Sequence, residues 1–449
     1  MKIGLVKKKT WLPLVIGLSI TSIVSTSVSS DNISLEQITA DVSFLANDKL
    51  AGRASFSKGI DDAAGYISKR FSGIGLSPLM GLKSFRQTFE ISQFIPSSIN
   101  LTLNGKNIDQ KNLAMASTIK SIVWKNSKHF KKAVIGPQDD MRQKIEALNQ
   151  KGDEHLVLLN TAHAKLFARY QSYFQRGLTK LDLTHQGTIV IVLTNETNIE
   201  SVDLTATTNV SKQTLSNVVG ILPGSTRPDE IVLYSAHYDH LGIKSKKGKN
   251  EEDLIYNGAD DDASGTTAVI NLAEHFAKKA NNARTLIFTA FTAEEIGGFG
   301  SRYFSQQLDP ERITAMINIE MIGKPSKFGK GTLWMTGMQR SNLGALLNGG
   351  LNSHHKEIYQ DPYPEQNLFY RSDNATLARL GVPAHSFSST QLDKDEYYHQ
   401  VSDELESLDL RSMQSVIETL SIATEGLVNG KDTPTRLDAT KVRRQGKIF

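Results

Sequence analysis

The feature that most constrains the fold of this chain is an alternation of short apolar strands with amphipathic helices from Ser216 onward. The clearest helix lies at 263–279, where Val269, Leu272 and Phe276 share one face. The predicted strands are residues 231–236, 285–291, 316–321 and 332–335. Alternation of this kind predicts an α/β fold of three α/β/α layers around a mixed, largely parallel sheet.

A second region, residues 93–212, has a different pattern that starts with a hairpin signal at Asn104-Gly105. We expect a smaller α+β domain here, inserted into the larger one. Its predicted elements are strands at 155–159 and 188–193, a helix at 164–176 and a polar return linker at 195–213. The larger domain then comprises 31–92 and 213–430, followed by a loose polar tail at 431–449.

Residues 1–30 have the pattern of a secretory signal peptide. Lys7–Lys9 supply the positive charge, an apolar run covers 11–24, and small residues follow at 25–30. The alternative is an uncleaved membrane anchor, but a spanning helix needs about 20 apolar residues and this run is shorter. We therefore expect an exported protein, periplasmic or secreted, with no stable membrane span after cleavage.

The charge of the chain argues against a nucleic-acid partner. The formal net charge is +4, and the four lysines among the first thirty residues account for all of it. The expected mature chain is therefore neutral and offers no basic surface for nucleic acid. The chain also contains no cysteine, which excludes disulfides, thiolate zinc ligands and cysteine nucleophiles.

Acidic residues and histidines cluster where the predicted strands end. His237 and Asp239 follow the strand at 231–236, Glu294 and Glu295 follow the next, and Glu320 lies at the end of a third. Asp260, Asp261 and Asp262 directly precede the helix at 263–279. Ligands of open α/β sheets bind beyond the carboxyl ends of the strands, so these groups are expected to meet at one edge.

Crowded carboxylates repel one another, and a divalent cation relieves that repulsion. Imidazole and carboxylate ligands without thiolate suit Zn²⁺ with an open coordination position. Asp239 stands two residues after His237 and could orient its ring. Each group also has an ordinary interpretation: Asp260–Asp262 could cap a helix, Glu294 and Glu295 could be solvated, and His237 could be packed.

With these residues identified, the sequence resembles the M28 family of zinc peptidases, which includes secreted bacterial aminopeptidases. The matching motifs are SAHYDHLG at 235–242, GADDDASG at 258–265, AEEIG at 293–297, NIEMIG at 318–323, FYRSD at 369–373 and YYH at 397–399. The insert is only loosely similar to the protease-associated domains of that family. The opening segment 45–53 also looks like the start of such proteins.

The resemblance implies two zinc ions per chain. It assigns His237 and Glu320 to one ion, Glu295 and His399 to the other, and Asp261 to both. It makes Glu294 the general base and Asp239 the residue that orients His237, and it implies a cis peptide bond after Asp261.

The substrate side is expected to include Tyr398 as a hydrogen-bond donor to the oxyanion, as in some relatives. Tyr370 is a weaker candidate for the same role, and Arg371 and Asp373 are expected to bind substrate. The remaining histidines of this half of the chain are expected to be structural or exposed; these are His240, His275, His354 and His355.

These observations predict an exported zinc metallopeptidase that acts on peptides or proteins, most simply an aminopeptidase. A glutaminyl-cyclase-like enzyme and a carboxypeptidase would use the same fold. A non-enzymatic exported binding protein is the alternative from another class, and such a protein would be expected to lack several ligands.

Overall fold

The structure is a computed structural model that describes residues 33–125, 129–244, 253–443 and 446–449. The predicted signal peptide at 1–30 lies outside the described residues. The strands are β1 Ser77–Pro78, β2 Arg86–Leu103, β3 Lys106–Asn107, β4 Leu113–Ser117, β5 Ser121–Trp124, β6 Lys131–Ile135, β7 Glu154–Leu159, β8 Leu178–Lys180, β9 Thr188–Leu193, β10 Val202–Leu222, β11 Arg227–His237, β12 Gly242–Ile243, β13 Ile255–Tyr256, β14 Arg284–Phe291, β15 Ile313–Ile319, β16 Leu333–Met335, β17 Ile358–Gln360 and β18 Ala384–Ser388. The helices are α1 Leu35–Leu45, α2 Lys58–Ile74, α3 Met141–Lys151, α4 Ala164–Gln175, α5 Gly265–Lys279, α6 Phe299–Ser305, α7 Leu343–Leu351, α8 Asn374–Ala378, α9 Leu410–Ala423 and α10 Glu425–Val428.

The main sheet has the strand order β17-β16-β18-β15-β11-β14-β10-β2-β3. Its centre is parallel, because β11 pairs in parallel with both β14 and β15, and β15 pairs in parallel with β18. Antiparallel pairs flank this centre on both sides, between β14 and β10 and between β18 and β16. The predicted mixed, largely parallel sheet is confirmed.

Helices cover both faces of this sheet, because its central strands are apolar on both sides. Tyr234 of β11 points into a core shared with α1, α2, α5, α7 and α9. Its neighbour Leu233 points to the opposite face, where Phe304 of α6 and Leu377 of α8 pack. All eight residues of β14 are buried, as expected for a strand enclosed between two helical layers.

The inserted region folds around its own sheet, in the order β4-β9-β7-β6, with α3 and α4 packed against it. The hairpin predicted at Asn104-Gly105 is present between β2 and β3, and both residues adopt positive φ angles. Since β2 and β10 pair from Val202 to Val218, two long strands run through the predicted boundaries at 93 and 212. The two domains therefore share a continuous ribbon of sheet.

The linker predicted at 195–213 is wrong, because most of it belongs to β10. The side chains of Val202, Leu204 and Ala206 are buried and alternate with exposed polar residues. This alternation is typical of a half-buried strand, but the surrounding threonines and serines hid it in the sequence.

The tail predicted to be loose at 431–449 is packed against the rest of the chain. Leu437 and Val442 join the core beside α6 and α8, and Ile448 is fully buried in the inserted region. The side-chain oxygen of Asn149 accepts hydrogen bonds from the backbone N–H groups of Ile448 (2.8 Å) and Phe449 (2.9 Å). The few apolar residues of this mostly polar segment are therefore enough to pack it against the two domains.

Among the described residues, none of the helices combines the length and the apolar character required to cross a membrane.

Candidate metal centre

The carboxyl ends of three neighbouring parallel strands bring the predicted polar residues together. His237 is the last residue of β11 and pairs with Phe291, the last residue of β14, so Glu294 and Glu295 follow beside it. Glu320 comes directly after β15 on the other side of β11. The chain order thus places three groups at one edge of the sheet, as the strand pattern predicts.

Two groups of side chains at this edge could each hold a metal ion: His237, Asp262 and Glu320 form one, and His240, Asp261 and Glu295 form the other. Asp261 also connects the two groups, because it lies close to both His237 and His399. The Nε2 atom of His237 lies 3.2 Å from Oδ1 of Asp261 and 3.3 Å from Oε1 of Glu320. We call these three residues the first trio. The Nε2 atom of His399 lies 3.2 Å from Oδ2 of Asp261 and 3.4 Å from Oε2 of Glu295, and these residues form the second trio.

These distances fit the chemistry of a metal site. Zinc binds nitrogen and oxygen ligands at about 2.0–2.1 Å, and a tetrahedral arrangement then separates neighbouring ligand atoms by about 3.3–3.4 Å. The four distances within the trios lie between 3.2 and 3.4 Å. The donor set of two imidazoles and three carboxylates therefore fits two divalent ions that share the carboxylate of Asp261.

The carboxylates and imidazoles strongly shift one another's pKa values. Burial alone would lower the pKa of His399, but its contacts with Asp261 and Glu295 raise it to about 10. Burial likewise opposes protonation of His237, whose pKa is nevertheless raised well above its usual value by Glu320 and Asp261. In the metal-free chain, the neighbouring carboxylates thus favour the protonated form of both imidazoles.

Asp239 does not orient His237 through its carboxylate. The Nδ1 atom of His237 lies 3.1 Å from the backbone oxygen of Asp239, whereas the nearer carboxylate oxygen is 3.8 Å away. The carboxylate instead accepts hydrogen bonds from the backbone N–H groups of Glu294 (3.1 Å) and Glu295 (3.3 Å). Asp239 thereby positions the segment that carries both glutamates.

The segment Asp260–Asp262 is fixed by groups from distant parts of the chain. The peptide bond between Asp261 and Asp262 is cis, as the resemblance implies. The carboxylate of Asp403 accepts the backbone N–H groups of Asp260 and Asp261, each within 3.2 Å. The carboxylate of Asp262, next to the first trio, accepts the backbone N–H of Met321 at 3.0 Å.

Arg53 is a supporting residue that has no predicted role. Its fully buried guanidinium donates to backbone oxygens of Leu45, Tyr238 (2.9 Å), Asn257 (2.5 Å) and Gly258 (3.0 Å). It therefore joins the loop after β11 to the loop before Asp261. Burial lowers the pKa of Arg53 to about 10, and nearby aspartates oppose that shift.

Glu320 is held by a chain of hydrogen bonds. The hydroxyl group of Ser372 donates to Oε2 of Glu320 (2.5 Å), and the side-chain amide of Asn318 donates to Ser372 (2.7 Å). The oxygen that faces His237 is the other one, Oε1. Each oxygen of this carboxylate therefore has its own partner.

Glu294 lies beside the two trios and its pKa is raised well above its usual value. Burial is the main cause, and the charges of Glu320, Asp373 and Glu295 add to it, while His237 opposes it. A carboxyl group with a raised pKa can accept and return a proton near neutral pH.

The residues expected on the substrate side occupy different places. Tyr398 stacks on His399 with 4.0 Å between ring centroids, and its hydroxyl oxygen accepts a hydrogen bond from exposed Arg371 at 3.2 Å. Both line a small pocket that also contacts Glu320. Tyr370 lines a neighbouring cavity with Arg340, and Asp373 is only 2% exposed.

His240 belongs to the site, although the sequence analysis left it as structural. It is buried, and its Nδ1 atom lies 2.7 Å from Oε1 of Glu295. The HYDH run at 237–240 contained the signal, since it places two histidines after one strand end. His275, by contrast, lies within α5, and His354 and His355 follow α7, as expected of residues outside the site.

A family model and several known proteins are similar to parts of this chain. Residues 217–424 match the family model described as peptidase family M28. The chain is 24% identical over 280 residues to a "Vacuolar membrane protease" of Schizosaccharomyces pombe, a match that covers 61% of this chain and 30% of that protein. It is 27% identical over 213 residues to a "Probable leucine aminopeptidase" of Trichophyton verrucosum, covering 44% and 53% respectively.

Among solved structures, the fold is similar to that of BSAP, described as a zinc aminopeptidase from Bacillus subtilis. The TM-score is 0.53 at 16% identity, and the match covers 93% of this chain and 99% of that one. The likeness shows a common fold. The match to the fungal relatives spans only about a third to a half of their length.

Proposed function

The chain carries a peptidase family M28 domain at residues 217–424, and we propose that this domain is a zinc-dependent aminopeptidase. Its substrates would be peptides or proteins from which it removes amino-terminal residues. Action at the amino end rests on the relatives, since one is described as a "Probable leucine aminopeptidase" and a protein of similar fold as a zinc aminopeptidase.

The observation that carries this proposal is the shared carboxylate of Asp261. Its two oxygens each lie 3.2 Å from a different imidazole nitrogen, of His237 and of His399. Two ions held in this way suit hydrolysis, because bound zinc supplies Lewis acidity for an attacking water and a scissile carbonyl. His237 and Glu320 would hold one ion, and Glu295 and His399 the other.

The remaining residues of the site have separate tasks in this proposal. Glu294, raised in pKa by burial, would take a proton from the water and return it to the leaving amine. Asp239 would fix Glu294 through its backbone N–H. Tyr398 keeps its proton because burial and the neighbouring carboxylates raise its pKa, so it can donate to the developing oxyanion.

The test combines metal analysis with a peptide digest. Purified full-length protein should contain about two zinc ions per chain and release dye from an aminoacyl-nitroanilide, and a chelator should abolish that release. Mass spectrometry of a peptide digest should show residues leaving from the free amino end, and acetylation of that end should protect the peptide.

Other outcomes of the same experiment would replace the proposal. Loss of residues from the carboxyl end would indicate a carboxypeptidase, and cyclisation of amino-terminal glutamine would indicate a glutaminyl-cyclase-like enzyme. A protein that binds peptides but contains no zinc and cleaves none of them would be a binding protein.

We also propose that the protein is exported, to the periplasm or beyond the cell. The support is the charged and apolar pattern of residues 1–30. Fractionation of a producing cell should then yield a shortened chain, and a full-length chain in the cytoplasm would contradict export.

A further inference from the structure

His240 is confined beside the second trio. It is 2% exposed, and its backbone N–H donates to the backbone oxygen of Arg53 at 3.2 Å. A Cβ atom on Gly258 would lie 2.5 Å from Cδ2 of the His240 ring, so the backbone of Gly258 packs closely against it. The ring therefore has little freedom to turn away from Glu295.

The two oxygens of the Glu295 carboxylate face different partners. Oε2 lies 3.4 Å from Nε2 of His399, which is the spacing of two ligands on one metal ion. Oε1 lies 2.7 Å from Nδ1 of His240, which is a hydrogen-bond distance and too short for two ligands in a tetrahedron. The distance from the same Nδ1 to Oδ2 of Asp261 is 3.9 Å.

We propose that His240 is a positioning residue, which donates a hydrogen bond from Nδ1 to the outer oxygen of Glu295 and so holds this carboxylate as a one-oxygen metal ligand. This inference rests on the proposed function, since it requires a metal ion on the second trio. A carboxylate accepts hydrogen bonds, so Nδ1 must carry the proton. Hydrogen bonds of this kind to ligating carboxylates strengthen metal binding.

The surroundings of the other ring nitrogen agree with this assignment. Nε2 of His240 is buried and has no hydrogen-bond partner among the described residues. The ring centroid of His399 lies 5.7 Å away and that of Tyr256 6.5 Å away, so aromatic rings border the imidazole. Within the part of the chain that the structure describes, the one strong polar contact of the imidazole is therefore with Glu295.

The test measures zinc affinity in the absence of substrate. Metal-free wild type, His240→Phe and His240→Asn would be titrated with zinc against a chromophoric chelator. Asparagine carries a donor near the position of Nδ1, whereas phenylalanine keeps the ring but removes the donor. Substitution of residues that hold a metal ligand commonly lowers metal affinity about 10–100-fold.

We expect both variants to bind two zinc ions, with one of the two bound about 10–100-fold more weakly in His240→Phe and both close to wild type in His240→Asn. His155 provides the control, because it is another buried histidine but lies in β7 of the inserted region. His155→Phe should leave zinc affinity unchanged. If His240→Phe does not fold, His240→Ala gives the same comparison.

Two results would overturn the inference. A His240→Phe variant with wild-type affinity for both ions would show that the hydrogen bond is irrelevant, and one that binds a single ion would make His240 a ligand. In both cases the proposed peptidase function would stand. A wild-type protein that binds no zinc would overturn the proposed function and this inference together.

Discussion

The carboxylate of Asp239 accepts a hydrogen bond of 3.1 Å from the backbone N–H of Glu294, the proposed general base. Asparagine at position 239 would present an N–H group where an acceptor is needed, so at least one of the two backbone hydrogen bonds would be lost. The segment that carries Glu294 would then be less well fixed.

We therefore expect Asp239→Asn to lower kcat about 10–100-fold while KM changes little and zinc content stays near wild type. Steady-state kinetics and metal analysis of the same preparation check this. Asp41→Asn is a matched control, since Asp41 is also fully buried but pairs with Arg70. Equal kcat in wild type and Asp239→Asn would contradict the positioning role.

The proposed base itself predicts a separate result. Glu294→Gln keeps the size of the side chain but cannot accept the proton, and general-base catalysis is worth about 100–10,000-fold. We expect kcat to fall within that range, with two zinc ions still bound, because Glu294 belongs to neither trio. A variant that retains zinc and cleaves at the wild-type rate would assign the base to another residue.

Tyr398 offers a test of oxyanion binding with a matched neighbour. Tyr398→Phe removes the hydroxyl group but keeps the ring that stacks on His399, so we expect kcat to fall about 100-fold with little change in KM. Tyr397→Phe is the control, since Tyr397 is 40% exposed. Similar kinetics for both variants would show that the hydroxyl group of Tyr398 does not take part in catalysis and that its ring only lines the pocket.

The sequence predicted that the side chains of the candidate metal centre meet at one edge because of a general property of parallel sheets. The carboxyl ends of β11, β14 and β15 lie side by side, so His237, Glu295 and Glu320 had to meet once the strands were placed. The hairpin at Asn104-Gly105 was also predictable, because the turn depends only on these two neighbouring residues. Both kinds of prediction depend on residues close together in the chain or on one rule of topology.

What the sequence could not predict depends on contacts between distant segments. Buried Arg53 donates hydrogen bonds to the backbone oxygens of residues 45, 238 and 257. These residues are far apart in the chain, so no local sequence pattern indicates that they share a partner. The side chains of His240 and Asp239 both point toward the segment that carries Glu294 and Glu295, whereas the sequence analysis expected His240 to lie outside the site and Asp239 to contact His237. Such directions are decided by packing, which periodicity does not describe.

Three of the groups with raised pKa values in and around the site illustrate the pH dependence of stability in the metal-free chain; Asp239 and Glu404, whose pKa values burial raises to about 6 and about 7, act in the same direction. Burial raises the pKa of Asp260 to about 6 and that of Asp373 to about 7, although Lys324 opposes the first shift and His237 the second. The pKa of His399 is raised to about 10, because its contacts with carboxylates outweigh burial. A group whose pKa is higher in the folded state stabilises that state at low pH and loses this effect as pH rises.

Unfolded aspartate titrates near pH 3.9 and histidine near pH 6.5, so all three contributions decline between pH 5 and 8. The pKa values of Asp261 and Glu295 are lowered, but their contributions change only below about pH 4.5. We therefore expect the free energy of unfolding of the chelated protein to fall from about pH 6.5 to pH 8. Below about pH 6.5 the trend is opposed by His385, whose pKa burial lowers to about 4. Zinc should stabilise the protein most at the upper end, because protons no longer compete for the ligands.

Chemical denaturation at pH 5, 6.5 and 8, with chelator and with zinc, measures both trends. Asp373→Asn should flatten the decline in the chelated protein, because it removes one of the three groups. Asp139→Asn serves as the control, since the pKa of Asp139 is lowered by Lys144 and by the backbone N–H of Gly136, and its contribution is constant above about pH 5. A chelated protein that becomes more stable toward pH 8 would mean that these buried groups do not carry the raised pKa values, and the electrostatic account of the site would fail with them.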